Sequence, residues 1–227
     1  MTDRKRDERD HWSTPSTAYL LLWASFFVLM MVAPALSQST EGSIVLTVIY
    51  ALLLLSSLIL IRGRYRVLIT AVALVLITAA LRLLSHTIGG SGLTSVSFLS
   101  SAMALTFISA MIYTLLFRRR KVTTETIWQG MTLYLLTGLA WANLFMFVNT
   151  AFPGSFADRA NPGAALDLSA FIYYSFVTLT TVGYGDIHPL TPEARNLAGL
   201  EMLFGVFYLA IFISRLVETW KIERKSK

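Results

Sequence analysis

Read from its first residue, the chain alternates long apolar runs with short polar breaks. An α-helix needs about 20 mostly apolar residues to cross a bilayer. Six stretches qualify, approximately Ala18–Leu36, Ile44–Ile61, Val67–Leu84, Val96–Phe117, Ile127–Val148 and Asn196–Val217. A further apolar piece, Leu168–Leu179, is too short to cross and lies within the otherwise polar segment from Asn149 to Arg195. That segment holds too few apolar residues after Pro153 for another passage, so the pattern predicts a short helix that dips into the membrane and returns. Asp167 stands directly before it, in place to accept a first-turn amide as N-cap.

Composition sharpens this picture. With 227 residues, 55% of them hydrophobic and 14% charged, the chain carries too much apolar surface for a soluble globule of its size. The absence of cysteine excludes disulfides, thiolate metal sites and cysteine nucleophiles. The net charge of +6 does not point to nucleic acid, because the basic residues form short clusters between apolar runs. Such clusters mark cytoplasmic loops, since moving them across during insertion is costly.

Arg62, Arg64 and Arg66 separate the second and third spans, and Arg118, Arg119, Arg120 and Lys121 separate the fourth and fifth. Arg215, Lys221, Arg224, Lys225 and Lys227 mark the end of the sixth span, whereas Ser37–Ser43 and Ser85–Ser95 contain no lysine or arginine. Both termini are therefore expected in the cytoplasm, in a plasma or bacterial inner membrane. Residues 1–17, rich in both signs of charge, read as a mobile tail. The first span, with its basic start and Ala33-Pro34-Ala35, also resembles a cleavable signal peptide. A retained anchor, giving an even number of spans, is the reading adopted.

The chemistry lies in Thr180-Thr181-Val182-Gly183-Tyr184-Gly185-Asp186, immediately after the short helix. A dehydrated ion needs oxygens in place of its hydration shell, and an extended strand with its carbonyls turned to one axis supplies them without adding charge. Alternating backbone handedness along such a strand needs positions where positive φ is cheap, and Gly183 and Gly185 provide it two residues apart. The Thr181 hydroxyl completes the innermost cage. Tyr184 turns away from the axis and is braced by Tyr173 or Tyr174. The negative end of the short helix faces the cavity below.

The run from Tyr173 to Asp186, followed by Pro189 and Arg195, resembles the pore helix and selectivity filter of the potassium-channel family. The likeness extends over roughly Ile127 to Val217. It implies an all-α membrane protein in which a re-entrant pore helix and an extended filter lie between the fifth and sixth spans. It also implies a four-fold homotetramer, with potassium ions held by Thr181, Val182, Gly183, Tyr184 and Gly185 and no organic cofactor. Tyr173, Tyr174, Thr178, Thr180, Asp186 and Glu201 are the expected supports of the filter. Many members have tryptophans at Tyr173 and Tyr174, and some bacterial members a glutamate at Val177, so inactivation behaviour does not carry over.

By the same alignment Gly205 falls at the family's inner-helix hinge, although glycine in a membrane helix equally serves close packing. Met202, Val206, Leu209, Ile213 and Val217 then face the pore at helical spacing, an apolar tube able to close by dewetting. Glu201, in mid-span, needs a partner or water: it either bonds a pore-helix hydroxyl such as Thr178 or attracts cations to the pathway, and because its face turns from the axis the structural role is expected.

The domain reading is a tail (1–17), a four-helix module of unknown role (18–117) and a pore domain (118–227). Voltage sensing of the usual kind needs arginines at every third position of the fourth span, and Val96–Phe117 has none. Arg82, near the outer end of its span, is expected to snorkel to the interface. The stretch Gly89-Gly90-Ser91-Gly92 reads as a flexible external linker. The ten residues after Val217 are too short for a ligand-binding domain. Anionic lipid headgroups are a candidate partner of Arg118–Lys121. His86 and His188, near external ends, make pH modulation conceivable, though solvated histidines are the common case. No histidine pair, acid pair or nucleophile–base arrangement supports an enzyme. The alternative to a conducting homotetramer is a regulatory or scaffold subunit that does not conduct alone.

Overall fold

The computed structural model describes residues 17–36, 40–59, 65–118 and 122–225. Residues 1–16 of the expected tail, Arg62, Arg64, Arg119, Arg120, Lys121 and Lys227 lie outside the described residues, as do the side chains of Arg66, His86, Arg118, Lys221, Arg224 and Lys225, while Thr17 already opens the first helix. The protein is mostly helical. In chain order the elements are α1 (Thr17–Leu36), α2 (Thr40–Ile59), α3 (Tyr65–Ile88), α4 (Ser91–Arg118), α5 (Thr124–Ala151), β1 (Phe156–Asp158), α6 (Leu168–Leu179), β2 (Ile187–Pro189) and α7 (Pro192–Lys225). Helices dominate because in hydrocarbon every backbone N–H and C=O must find a partner within its own segment.

Among the described residues five helices, α1, α3, α4, α5 and α7, are long and apolar enough to cross a membrane. The expected second span corresponds to α2, whose described apolar stretch is the shorter Val48–Ser57. The polar loop expected at Ser85–Ser95 shrinks to a break at Gly89 and Gly90, whose φ values of 73° and 102° end α3. Its hydroxyls do not break the helices because they bond back to carbonyls one turn earlier: Thr94 Oγ1 to Gly90 O at 3.0 Å and Ser95 Oγ to Ser91 O at 2.8 Å. The flexible linker read there is thus two residues long, with Ser91 and Gly92 already in α4.

Helix α5 starts in a reciprocal cap. The Thr126 N–H donates to Thr123 Oγ1 at 3.4 Å, and the Thr123 N–H to Thr126 Oγ1 at 3.1 Å. From there α5 runs through the centre of the molecule, packed against α4 on one side and α6 on the other. Helix α1 reaches the same region: Trp23 Nε1 donates to Thr132 Oγ1 at 3.2 Å, and Phe26 meets Phe176 of α6 edge to face at 5.3 Å. The core threads these helices through Leu105, Ile108, Leu136, Leu139, Phe145 and Phe171, all wholly buried.

A small antiparallel ribbon was not evident in the sequence. Strands β1 and β2 pair Phe156 with Pro189, Ala157 with His188 and Asp158 with Ile187. It is extended by Arg159 N–H to Asp186 O and Leu190 N–H to Ser155 O, both 2.8 Å. The ribbon joins the chain just before α6 to the chain just after the Thr181–Gly185 strand.

Candidate ion-conducting site

Helix α6 has the bounds expected of it, Leu168–Leu179, and Asp167 caps it by accepting the Ala170 N–H at 2.8 Å. At the other end Thr180 closes the helix, its hydroxyl donating to Phe176 O at 2.6 Å. The chain then turns directly into the strand. The Thr181 N–H donates to Thr178 O at 2.9 Å, and the N–H groups of Val182 and Gly183 both donate to Val177 O, at 3.0 and 3.3 Å. The end of α6 therefore holds the start of the strand by its own carbonyls.

Along the strand φ is positive at every second residue: 60° at Thr181, 59° at Gly183 and 77° at Gly185. For the glycines this costs little. At Thr181 it is a strained conformation worth roughly 1–3 kcal/mol. Residues 180–185 are all exposed in the single chain, Tyr184 at 71% and Val182 at 54%, although they follow a helix with a buried face. A Cβ at Gly183 or Gly185 would meet nothing within 4 Å. Backbone conformation, not crowding, is what these positions require of glycine.

The supports divide the work. Tyr173 lies parallel to Tyr184, ring centroids 6.4 Å apart, and its hydroxyl donates to Asp186 Oδ2 at 2.6 Å. Tyr174 points the other way and does not reach Tyr184. It sits in an aromatic cluster, edge to face with Phe145 at 5.0 Å and Phe156 at 5.6 Å, with Phe171 at 6.5 Å. Such pairs add about 0.5–1.5 kcal/mol each beyond area burial, so this cluster anchors α6 to α5 and to the ribbon. Thr178 is buried, and Tyr134 of α5 donates to Leu179 O at 3.2 Å.

On α7, Glu201 is fully buried, and its partner is Ser175, not Thr178: Ser175 Oγ lies 2.5 Å from Glu201 Oε1 and 2.7 Å from Gly138 O of α5. Gly205, one turn on, lies against the end of α6, where a Cβ would sit 2.1 Å from Leu179 O. The side chains of Met202, Val206, Leu209, Ile213 and Val217 are exposed in the single chain, as are Leu203, Phe207 and Ile211 on neighbouring positions. Further along, Arg215 donates from Nη2 to the carbonyls of Leu116 and Phe117, at 3.1 and 3.3 Å, and stacks over the Phe117 ring at 4.8 Å. It thereby caps the end of α4, a contact that sequence reading, which took Arg215 as an orientation signal, did not anticipate.

Arg82 does not snorkel. It is 7% exposed, donating to Asn143 Oδ1 at 2.8 Å and Ser101 Oγ at 3.3 Å, with its guanidinium 4.6 Å from the Tyr50 ring centroid and 5.0 Å from that of Phe98. Asn143 Nδ2 in turn donates to Tyr50 Oη at 2.9 Å. The residues that keep Arg82 inside, Tyr50, Ser101 and Asn143, lie on α2, α4 and α5, so its own helix gives no sign of them. His188, by contrast, is half-buried in β2 with no partner for Nδ1 among the described residues.

Residues 121–221 match the family model described as an ion channel. The chain is 36% identical over 85 residues to two pore potassium channel c of Oryza sativa subsp. japonica, covering 37% of this chain and 18% of that one. It is 46% identical over 46 residues to two-pore potassium channel 5 of Arabidopsis thaliana, covering 20% and 11%. With the inward rectifier potassium channel Kirbac3.1 of Paramagnetospirillum magnetotacticum it shares 35% over 82 residues, covering 36% and 25%. The chain thus spans a quarter or less of the length of each of these relatives. No solved structure matches it. Over residues 121–221, somewhat under half of its length, the chain is thus similar to an ion-channel family, and the relatives it matches there are potassium channels.

Proposed function

We propose that the chain is one subunit of a homotetrameric channel that conducts potassium selectively through the backbone oxygens of Thr181–Gly185. The observation that carries the reading is the alternation of positive φ at Thr181, Gly183 and Gly185 in a strand left exposed from residue 180 to 185. Successive carbonyls in such a strand can turn to the same side, and four copies around one axis replace the hydration shell of a bare cation. Non-helical backbone at membrane depth is tolerable only where protein surrounds it or it lines an ion path. Thr181 supplies its hydroxyl at the inner end, and the carbonyl end of α6 favours a cation below.

In this reading the chain crosses the membrane six times, α2 included, with both termini in the cytoplasm and α6 re-entrant between α5 and α7. Met202, Val206, Leu209, Ile213 and Val217 line the inner passage and close it by dewetting. Gly205 serves close packing against Leu179, and any hinge there works against that contact. Residues 18–117 form a four-helix module packed against α5 and α6, without the arginine ladder of a voltage sensor. Anionic lipid at Arg118–Lys121 is a further expectation.

The test is flux from liposomes containing the purified protein. Potassium is expected to pass far faster than sodium, and Gly183→Ala, which puts a Cβ on a backbone with φ of 59°, to abolish that flux. Equal passage of the two ions by the wild type would refute selectivity at this strand. Absence of flux, restored by a second channel subunit, would make the chain a regulatory one.

A further inference from the structure

Glu201, Ser175 and Gly138 meet at one buried point where α7, α6 and α5 touch, one turn before the end of α6 that receives the strand. The geometry there constrains where hydrogens sit. Ser175 Oγ is within bonding distance of two oxygens, 2.7 Å from Gly138 O and 2.5 Å from Glu201 Oε1. A hydroxyl carries one hydrogen, and a backbone carbonyl carries none. If Ser175 donates to Gly138, the short contact to Glu201 needs its hydrogen from the carboxyl. Glu201 Oε2 is buried with no hydrogen-bond partner among the described residues. An uncharged oxygen tolerates that, whereas an ionised carboxylate would leave half its charge desolvated and unpaired. Among the described residues, the ionisable groups that interact with Glu201 are the phenols of Tyr134 on α5 and Tyr174 on α6, neither of which offers positive charge.

We propose that Glu201 carries a proton in the conducting protein and donates it to Ser175, so that the three helices behind the filter are held by a neutral hydrogen-bonded chain from Glu201 through Ser175 to Gly138. The role rests on the channel reading above and makes Glu201 a positioning residue. Ser175 lies on the helix whose last turn receives the strand: Val177 O, Thr178 O and Leu179 O respectively accept from Val182 and Gly183, from Thr181, and from the Tyr134 hydroxyl. If the proton is lost to water, the carboxylate competes for the one Ser175 hydrogen. Gly138 O then loses its donor, and a buried charge is left that only water entry can relieve. The α5–α6 contact opens, and with it the seat of the filter.

The experiment pairs infrared spectroscopy with flux. At neutral pH the difference spectrum of wild type minus Glu201→Gln is expected to show the carbonyl stretch of one protonated carboxyl, and titration to alkaline pH to remove it. Potassium flux should fall over that same pH range in the wild type and stay level in Glu201→Gln, whose amide donates to Ser175 but has no carboxyl proton to lose. Ser175→Ala, which leaves Glu201 buried without a partner, is expected to lower flux about tenfold. Absence of the protonated band overturns the proposal. So does its presence with flux equally pH-sensitive in wild type and Glu201→Gln. If the purified wild type conducts nothing, the channel reading fails by itself, while the infrared difference still reports whether the proton is there.

Discussion

Replacing Gly205 with alanine tests how closely α7 must approach the end of α6. A Cβ built there falls 2.1 Å from Leu179 O and 3.0 Å from Leu179 C, both backbone atoms. Ordinary contact therefore requires α6 and α7 to separate by about 1 Å, and overpacking of this kind costs about 1–3 kcal/mol per subunit. Gly130 offers the internal control: its Cβ would meet only the far edge of the Phe212 ring, also at 2.1 Å, and a ring can swing aside where a backbone cannot. The displaced carbonyl belongs to the residue that Tyr134 holds and that immediately precedes Thr180. We expect Gly205→Ala to lower the thermal midpoint of the purified assembly and to reduce potassium flux at least tenfold, with the potassium-to-sodium ratio falling too. Gly130→Ala should cost less on both measures. Wild-type flux, selectivity and stability in Gly205→Ala would refute the argument from close approach.

Three further outcomes are expected. Arg82→Met leaves Asn143 Oδ1 buried without its donor, at about 1–3 kcal/mol; by thermal unfolding the double variant Arg82→Met/Asn143→Leu should lose less than the sum of the single ones. Tyr173→Phe removes the 2.6 Å bond to Asp186, worth about 1 kcal/mol at this exposure, and should speed the decay of conduction during sustained flux roughly fivefold. The Asp158 carboxyl is held below its ordinary value of 3.8, chiefly by the Asn161 side chain and also by the Ala160 and Asn161 N–H groups. A lowered folded-state value means the turn's contribution is complete above the ordinary aspartate range and lost as pH falls through the folded value. Protection from hydrogen exchange at residues 160–161, taken relative to the intrinsic rate at each pH, should therefore be present at neutral pH and lost only in acid, and Asp158→Ala should abolish it at every pH.

Sequence reading succeeded where a residue's neighbours along the chain determine its conformation. The ends of α6 were readable because an acidic cap and a Thr-Thr-Val-Gly run bracket one apolar stretch, and Gly183 and Gly185 announce positive φ by being glycine. Thr181 adopts the same conformation without any such sign, since the constraint comes from the helix end that receives its N–H. The partner of Glu201 was misplaced by one turn. Ser175 and Thr178 lie three apart on one face of α6, and only the axial offset between α6 and α7 decides which hydroxyl the carboxyl reaches. Arg82 was placed at the interface for a related reason: Ser101, Asn143 and Tyr50 come from three other helices. The ribbon was invisible because three-residue strands, one containing Pro189, are too short to show a period of two.

That ribbon makes the excursion from Arg159 to Asp186 a closed loop, entered and left at a single seam by Arg159 N–H to Asp186 O. Tension applied to one side of the seam is returned through the other before it reaches the strand. The exposed stretch 159–165 lies inside that loop, separated from the strand by the capped helix α6, so what buffers the strand from changes there is α6 and its Asp167 cap. On the proposed channel reading, the rim formed by that stretch is free to diversify while α6 keeps its seat.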